Sequence, residues 1–361
     1  MFQQLYENPL LTIFAALLAL VPTIIWGYYF YKKDPEPKKY AIITFFGGVL
    51  SVIPILAYQA SWQHIPAINI HYYIPQLLSE PGIYTVAFFL GVSVVVAFLS
   101  FLVSVLVTSL LAILTWTHGI LRNIWRGVIE EQANFVVTGF LIAIFGLLIL
   151  YSGYSRTEIL IITVSLAVLE EFVKHIIVRF TDDNRIKSID DAIEYSILVG
   201  LGFAFAENIF YFLSAYGSSA FWQIFIFRSI LSVFAHIFFS GIFGYFYGIA
   251  HFGTVIYQEE EMEKRHWLSH RVIKFFHKIF HMKATTIFHE EKMMEGLVIA
   301  AILHSIFNFL LQLNKIVIVV PFLFGGFFLL SYLFEKKEDH KKYGRLSKQR
   351  LTLKKPVEDQ L

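Results

Sequence analysis

Residues 159–180 read ILIITVSLAVLEEFVKHIIVRF. The stretch is long and apolar enough to cross a bilayer as a helix, which takes about 20 residues. Yet Glu170, Glu171 and Lys174 sit near its middle. A charged side chain at the bilayer centre costs about 2.5–3.5 kcal/mol on insertion scales, so such residues turn toward partners or a water-filled cavity. This one stretch therefore predicts a transmembrane helix bundle with a polar site inside it.

The rest of the chain supports that reading. Of 361 residues, 57% are hydrophobic, 17% aromatic and only 16% charged, with a mean hydropathy of +0.63. This profile belongs to a polytopic membrane protein rather than a soluble domain. There is no cysteine, which excludes disulfides, thiolate metal sites and cysteine nucleophiles. Apolar runs at 10–31, 39–58, 84–115, 134–152, 158–180, 194–213, 221–251, 296–313 and 316–334 predict an all-α fold of about nine spans. Two of them, 84–115 and 221–251, are long enough to be tilted or broken in two. The first run lacks the basic flank of a signal peptide and reads as a span.

Charge placement orients the bundle. With the N-terminus outside, inner segments hold all but four of the 29 Lys and Arg. The exceptions are Arg156 and Lys315 outside and Lys174 and Arg228 within spans. That asymmetry follows the positive-inside rule and puts the C-terminus in the cytoplasm. The outer loop 59–82 carries no Lys or Arg and is expected to lie against the outer interface. Within the inner loop 257–295, Leu268, Val272, Phe275, Phe276 and Ile279 share one helical face. His266, His270, His277 and His281 line another, flanked by Lys274 and Lys278. An amphipathic helix on anionic lipid is the expectation, with metal binding or pH sensing as the alternative. The tail from Glu335 is highly charged and is expected to be disordered or surface-bound.

Glu170 and Lys174, four residues apart, share a helix face, and Glu171 lies three from Lys174. Two adjacent carboxylates in lipid cannot both stay ionised cheaply. One is expected to pair with Lys174, and the other to be available as a general base or acid. Segment 194–213, EYSILVGLGFAFAENIFYFL, places Glu207 beside Asn208, while Gly200 and Gly202 permit close helix packing. His236 with Ser240 lies in 221–251, and His304 with Asn308 in 296–313. Glu170, Glu207, His236 and His304 all fall close to the midpoints of their runs, so four helices can converge on one site. Such groups suit water activation, metal binding or proton transport.

EEFVK (170–174), FAFAEN (203–208), HIFFS (236–240) and HSIFN (304–308) resemble, in order, the signature motifs of the PrsW family of intramembrane proteases. IDDAIEYSILVGLGFAFAEN (189–208) is similar to that family's extended second motif. The family is related to the type II CAAX prenyl endopeptidases and the Abi immunity-type proteins. The resemblance covers roughly 158–313 and implies a protease core there. Residues 1–157 would then form an N-terminal region of about four spans, and 314–361 the last span and tail. One departure is Leu169, where family members often carry a third acidic residue.

The resemblance implies a multi-pass protein of the bacterial plasma membrane, surrounded by lipid, with no nucleic-acid partner. It would hydrolyse a membrane-protein substrate such as an anti-sigma factor. Glu170 or Glu171 would activate water, and His236, His304 and Asn308 would stabilise the oxyanion or hold a metal. Lys174, Phe203, Glu207, Asn208 and Ser240 would support them. A divalent ion such as zinc would take Glu207, His236 and His304 as ligands, since a catalytic zinc needs about three protein ligands and an open position. The CAAX relatives are associated with a glutamate-activated water and no obligatory zinc, and no HExxH helix is present. The rival readings are an ion- or proton-coupled transporter and a non-catalytic scaffold or immunity protein that keeps the motifs.

Overall fold

The computed structural model describes residues 8–32, 37–61, 154–182, 185–263, 267–280, 283–335 and 340–346. Every regular element among them is a helix: α1 (Pro9–Tyr31), α2 (Lys38–Ser61), α3 (Tyr154–Asp182), α4 (Ile189–Ala215), α5 (Phe221–His251), α6 (Gly253–Met262), α7 (Trp267–Phe280), α8 (Ala284–Gln312), α9 (Ile316–Glu335) and a short α10 over 340–346. Six of these, α1, α2, α4, α5, α8 and α9, are long and apolar enough to cross a membrane. α3, which carries Glu170, Glu171 and Lys174, is helical throughout but is not one of the six. The expected spans 84–115 and 134–152 and most of the loop 59–82 lie outside the described residues.

The chain divides into two compact units, 1–64 with 164–252 and 291–361, and 65–163 with 253–290. In the first, α4 is the central helix and packs against α5, α2 and α1. Its residues from Ile189 to Ala204 are all buried, Asp190, Asp191 and Glu194 among them. Ser188 caps its start: Ser188 Oγ accepts from the Asp191 backbone N–H at 3.2 Å, and Asp191 Oδ2 accepts from the Lys187 N–H at 2.7 Å. These bonds satisfy donors that a helix start leaves open.

Glycines set how closely the helices approach. A Cβ on Gly202 would run into the Phe45 carbonyl, and one on Gly48 into the Val199 carbonyl. α2 and α4 therefore cross backbone to backbone, as small residues allow between membrane helices. The outward faces remain apolar and open: Leu10, Ile24, Val317 and Phe324 are all exposed.

α5 is continuous but not uniform. Its first seven residues are α-helical, Arg228–Ser232 form one turn of π-helix, and Val233–His251 return to α. The Val233 N–H donates to the Arg228 carbonyl, five residues back. The Trp26 indole N–H, from α1, donates to the Ser229 carbonyl within that wide turn at 3.3 Å.

Two expectations about charged segments change. α10 is ordered against the first unit: His340 is buried, its Nδ1 is 2.7 Å from Asp190 Oδ1, and Gly344 abuts the Lys187 carbonyl. Part of the tail is thus a docked helix, held in part by a buried His–Asp pair and a close glycine contact. In the second unit α7 forms as expected, but its histidines do not act as one stripe. His270 is buried against the Tyr257 ring, with Nε2 3.3 Å from Glu260, while His277 is exposed. Lys274 pairs with Glu261 at 2.6 Å. His266 and His281 lie outside the described residues.

Candidate active site

Four helices of the first unit bring their polar residues together. Glu170, Glu171 and Lys174 come from α3, Glu207 and Asn208 from α4, His236 from α5 and His304 from α8. Glu170, Glu171, Lys174, Asn208, His236 and His304 are all at least nine-tenths buried, so each polar atom left unpaired carries a large desolvation cost.

Lys174 and Glu171 form the centre. Lys174 Nζ donates to Glu171 Oε1 at 2.6 Å and to His236 Nδ1 at 3.2 Å. It also lies 4.6 Å from the centre of the Phe203 ring, which flanks His236 at 5.2 Å. With Nδ1 accepting, His236 carries its proton on Nε2, which donates to Glu207 Oε2 at 3.0 Å. The neighbours thus fix the tautomer. His304 Nδ1 donates to Glu171 Oε1 at 2.7 Å. This leaves the lone pair of His304 Nε2 facing Glu170 Oε2, 3.6 Å away. The two imidazoles meet edge to face, with ring centres 5.3 Å apart, and Phe239 stacks on His304 at 5.0 Å.

The two adjacent glutamates differ. Glu171 is committed to Lys174 and His304. Glu170 Oε2 is buried and has no hydrogen-bond partner among the described residues. Three carboxylates here face two permanent cations, Lys174 and Arg228. Lys174 is bonded to Glu171 and Arg228 to Glu207, so Glu170 is the carboxylate left without a permanent cation as hydrogen-bond partner. A buried carboxylate oxygen in this state is ready to take a proton or a cation.

Arg228 was missed as a site residue, although the sequence shows it within a span. Its Nη2 donates to Glu207 Oε2 at 2.6 Å and its Nε to Asn208 Oδ1 at 2.8 Å. Nothing in the spacing joins it to Glu207, 21 residues earlier. The only signal was the cost of leaving a guanidinium alone in lipid. Ser240 stands apart from the chemistry: its buried Oγ has no partner, and it packs where a Cβ on Gly200 would sit. Asn308 lies one turn beyond His304, half-buried, with no hydrogen bond among the described residues.

Glu170, His236 and His304 each offer one ligand atom, all within 4.8 Å of one another. One carboxylate and two imidazoles make a donor set that suits catalytic zinc, which keeps a further position for water. Glu170 Oε2 and His304 Nε2 are free for such an ion, and His236 Nδ1 becomes free once Lys174 releases it. Glu207 occupies a different place, held by Arg228 and His236.

A model of the PrsW family intramembrane metalloproteases matches residues 79–334. Over 92 residues the chain is 41% identical to the protease PrsW of Geobacillus kaustophilus (strain HTA426), a stretch that makes up 25% of this chain and 39% of that protein. The chain thus spans about two fifths of that relative's length. No solved structure matches.

Proposed function

We propose that this chain, which belongs to the PrsW family of intramembrane metalloproteases, hydrolyses a peptide bond of a membrane protein within the bilayer. The observation that carries this is the contrast between Glu171, whose Oε1 accepts from Lys174 and His304, and Glu170, whose buried Oε2 has no hydrogen-bond partner among the described residues. A transporter site has no need for a permanently fixed acid beside a free one, whereas a hydrolase needs both an orienting group and a base.

A water between Glu170 Oε2 and His304 Nε2 would donate one hydrogen to each, since both are acceptors. Glu170 takes the proton as the water oxygen attacks the peptide carbonyl, then passes it to the leaving amine. Glu171 holds His304 in the required tautomer, as an orienting carboxylate does for a catalytic imidazole. Lys174 offsets part of the negative charge that Glu170 carries before it takes the proton. The amide of Asn308, one turn beyond His304, would receive the oxyanion. Where a metal ion is bound, Glu170, His236 and His304 would hold it, and it would supply an activated water and polarise the carbonyl.

The positive-inside pattern supports a cytoplasmic C-terminus, and the family motifs support a multi-pass protein of the bacterial plasma membrane. A single-span regulator such as an anti-sigma factor is the substrate class that the motifs imply. The test compares membrane proteomes of cells carrying the wild type and the Glu170→Gln/Glu171→Gln variant. A membrane-protein fragment that appears only with the wild type supports proteolysis. Identical fragment patterns at equal protein levels would remove it.

A further inference from the structure

We infer that Arg228 is a positioning residue for the reaction, and that the π-turn in α5 is what puts it in place. The inference rests on the proteolytic reading above. Arg228 and His236 are eight residues apart on one helix. In an unbroken α-helix, at about 100° per residue, that separation turns them about 80° away from each other. One π-turn absorbs one extra residue, so the separation acts as seven α-helical steps and leaves them only about 20° apart. Both side chains then reach the same oxygen of the same carboxylate: Arg228 Nη2 and His236 Nε2 lie 2.6 and 3.0 Å from Glu207 Oε2.

The contact is built on several sides. The guanidinium bonds Asn208 through Nε and lies 3.5 Å from the centre of the Tyr211 ring. It is thus fixed by three residues on one side of α4, Glu207, Asn208 and Tyr211. The forked donor geometry and ring stacking are properties of arginine that lysine does not share. The wide turn is itself braced by the Trp26 bond to the Ser229 carbonyl. Arg228 therefore acts on the reacting atoms only through others. It holds Glu207, Glu207 holds the Nε2 proton of His236, and His236 presents Nδ1 to Lys174. π-turns recur at functional sites for this kind of realignment.

The test uses purified full-length protein in detergent and the membrane protein whose fragment the proteome comparison identifies. The variants are Arg228→Lys, Arg228→Gln, Arg228→Ala, Glu207→Gln and the double variant Arg228→Gln/Glu207→Gln. Loss of an orienting partner costs about 10–100-fold in activity. Arg228→Gln and Arg228→Lys should both fall by that much in kcat, with KM within about twofold. Millimolar guanidinium should restore part of the kcat of Arg228→Ala and none of Glu207→Gln. The double variant should be no slower than the slower single, because both act along one line. Wild-type kcat in Arg228→Gln would overturn the inference, as would a double loss equal to the product of the singles. If Arg228→Gln melts early, guanidinium rescue of Arg228→Ala decides: restored kcat supports positioning, and no rescue at unchanged KM rejects it. Wild type against Glu170→Gln in the same assay reads the proteolytic proposal by itself, so the two ideas fail separately.

Discussion

Glu171 and His304, 133 residues apart in sequence, meet at 2.7 Å between Oε1 and Nδ1. The same oxygen holds Lys174. One carboxylate oxygen thus ties α3 to α8 and sets the proton on the imidazole that faces Glu170. The adjacent glutamates have divided the work: one is an anchor and the other is free.

That division predicts opposite behaviour for two isosteric changes. Glu171→Gln leaves Lys174 as a buried cation without its carboxylate, and breaking a buried pair costs about 3–5 kcal/mol. Its thermal unfolding in detergent should shift down clearly. Glu170→Gln removes no hydrogen bond made by Oε2, so its stability should stay within about 1 kcal/mol of the wild type. Equal destabilisation by both would contradict the assignment.

Gly202→Leu should destabilise the bundle without touching the polar site. Its side chain would displace α2 at the Phe45 carbonyl, and overpacking of this kind costs about 1–3 kcal/mol. Thermal unfolding reads the loss. Gly325→Leu, where a Cβ meets nothing within 4 Å, is the control and should stay close to wild type.

His340→Ala should loosen the docked end of the chain. Asp190, fully buried, would lose its imidazole partner. Limited proteolysis should then cut between α9 and α10 faster, and unfolding should come earlier by about 1–3 kcal/mol, the cost of leaving a buried polar group unsatisfied. Unchanged proteolysis would show that Gly344 and its neighbours hold α10 without the pair.

Cobalt(II) offers a spectroscopic stand-in for zinc in a site of this donor type. Any tetrahedral cobalt absorption should disappear in Glu170→Gln and His304→Ala and persist in Asn308→Ala. Loss in Glu207→Gln with retention in Glu170→Gln would move the ligand set to the other carboxylate.

Much of this was legible in the sequence, and the exceptions have physical reasons. α1, α5 and α9 begin and end within a residue of the apolar runs 10–31, 221–251 and 316–334, because lipid-facing helices are apolar to their ends. α4 and α8 start earlier than the runs 194–213 and 296–313. The first turn of α4 carries Asp190 and Asp191, and just beyond the first turn of α8 come His289, Glu290 and Glu291, which hydropathy reads as loop although they are helical. Glu170, Glu171, Glu207, His236 and His304 could be grouped because each costs too much in lipid to stand alone. Arg228 could not be joined to them, since its alignment depends on a wide turn that leaves no mark in residue periodicity. Which of Glu170 and Glu171 pairs was equally hidden: both face the same neighbourhood, and the positions of Lys174 and His304 in the fold separate them. His340 escaped because a histidine in a charged tail reads as solvated until the fold buries it against Asp190.

The most direct measurement of the central claim is cleavage by purified wild type and Glu170→Gln in water enriched in ¹⁸O, followed by mass spectrometry of the new C-terminus. The account predicts ¹⁸O in that carboxylate for the wild type, and a rate at least about 100-fold lower for Glu170→Gln with the fold intact. A folded Glu170→Gln that cleaves at the wild-type rate would contradict it.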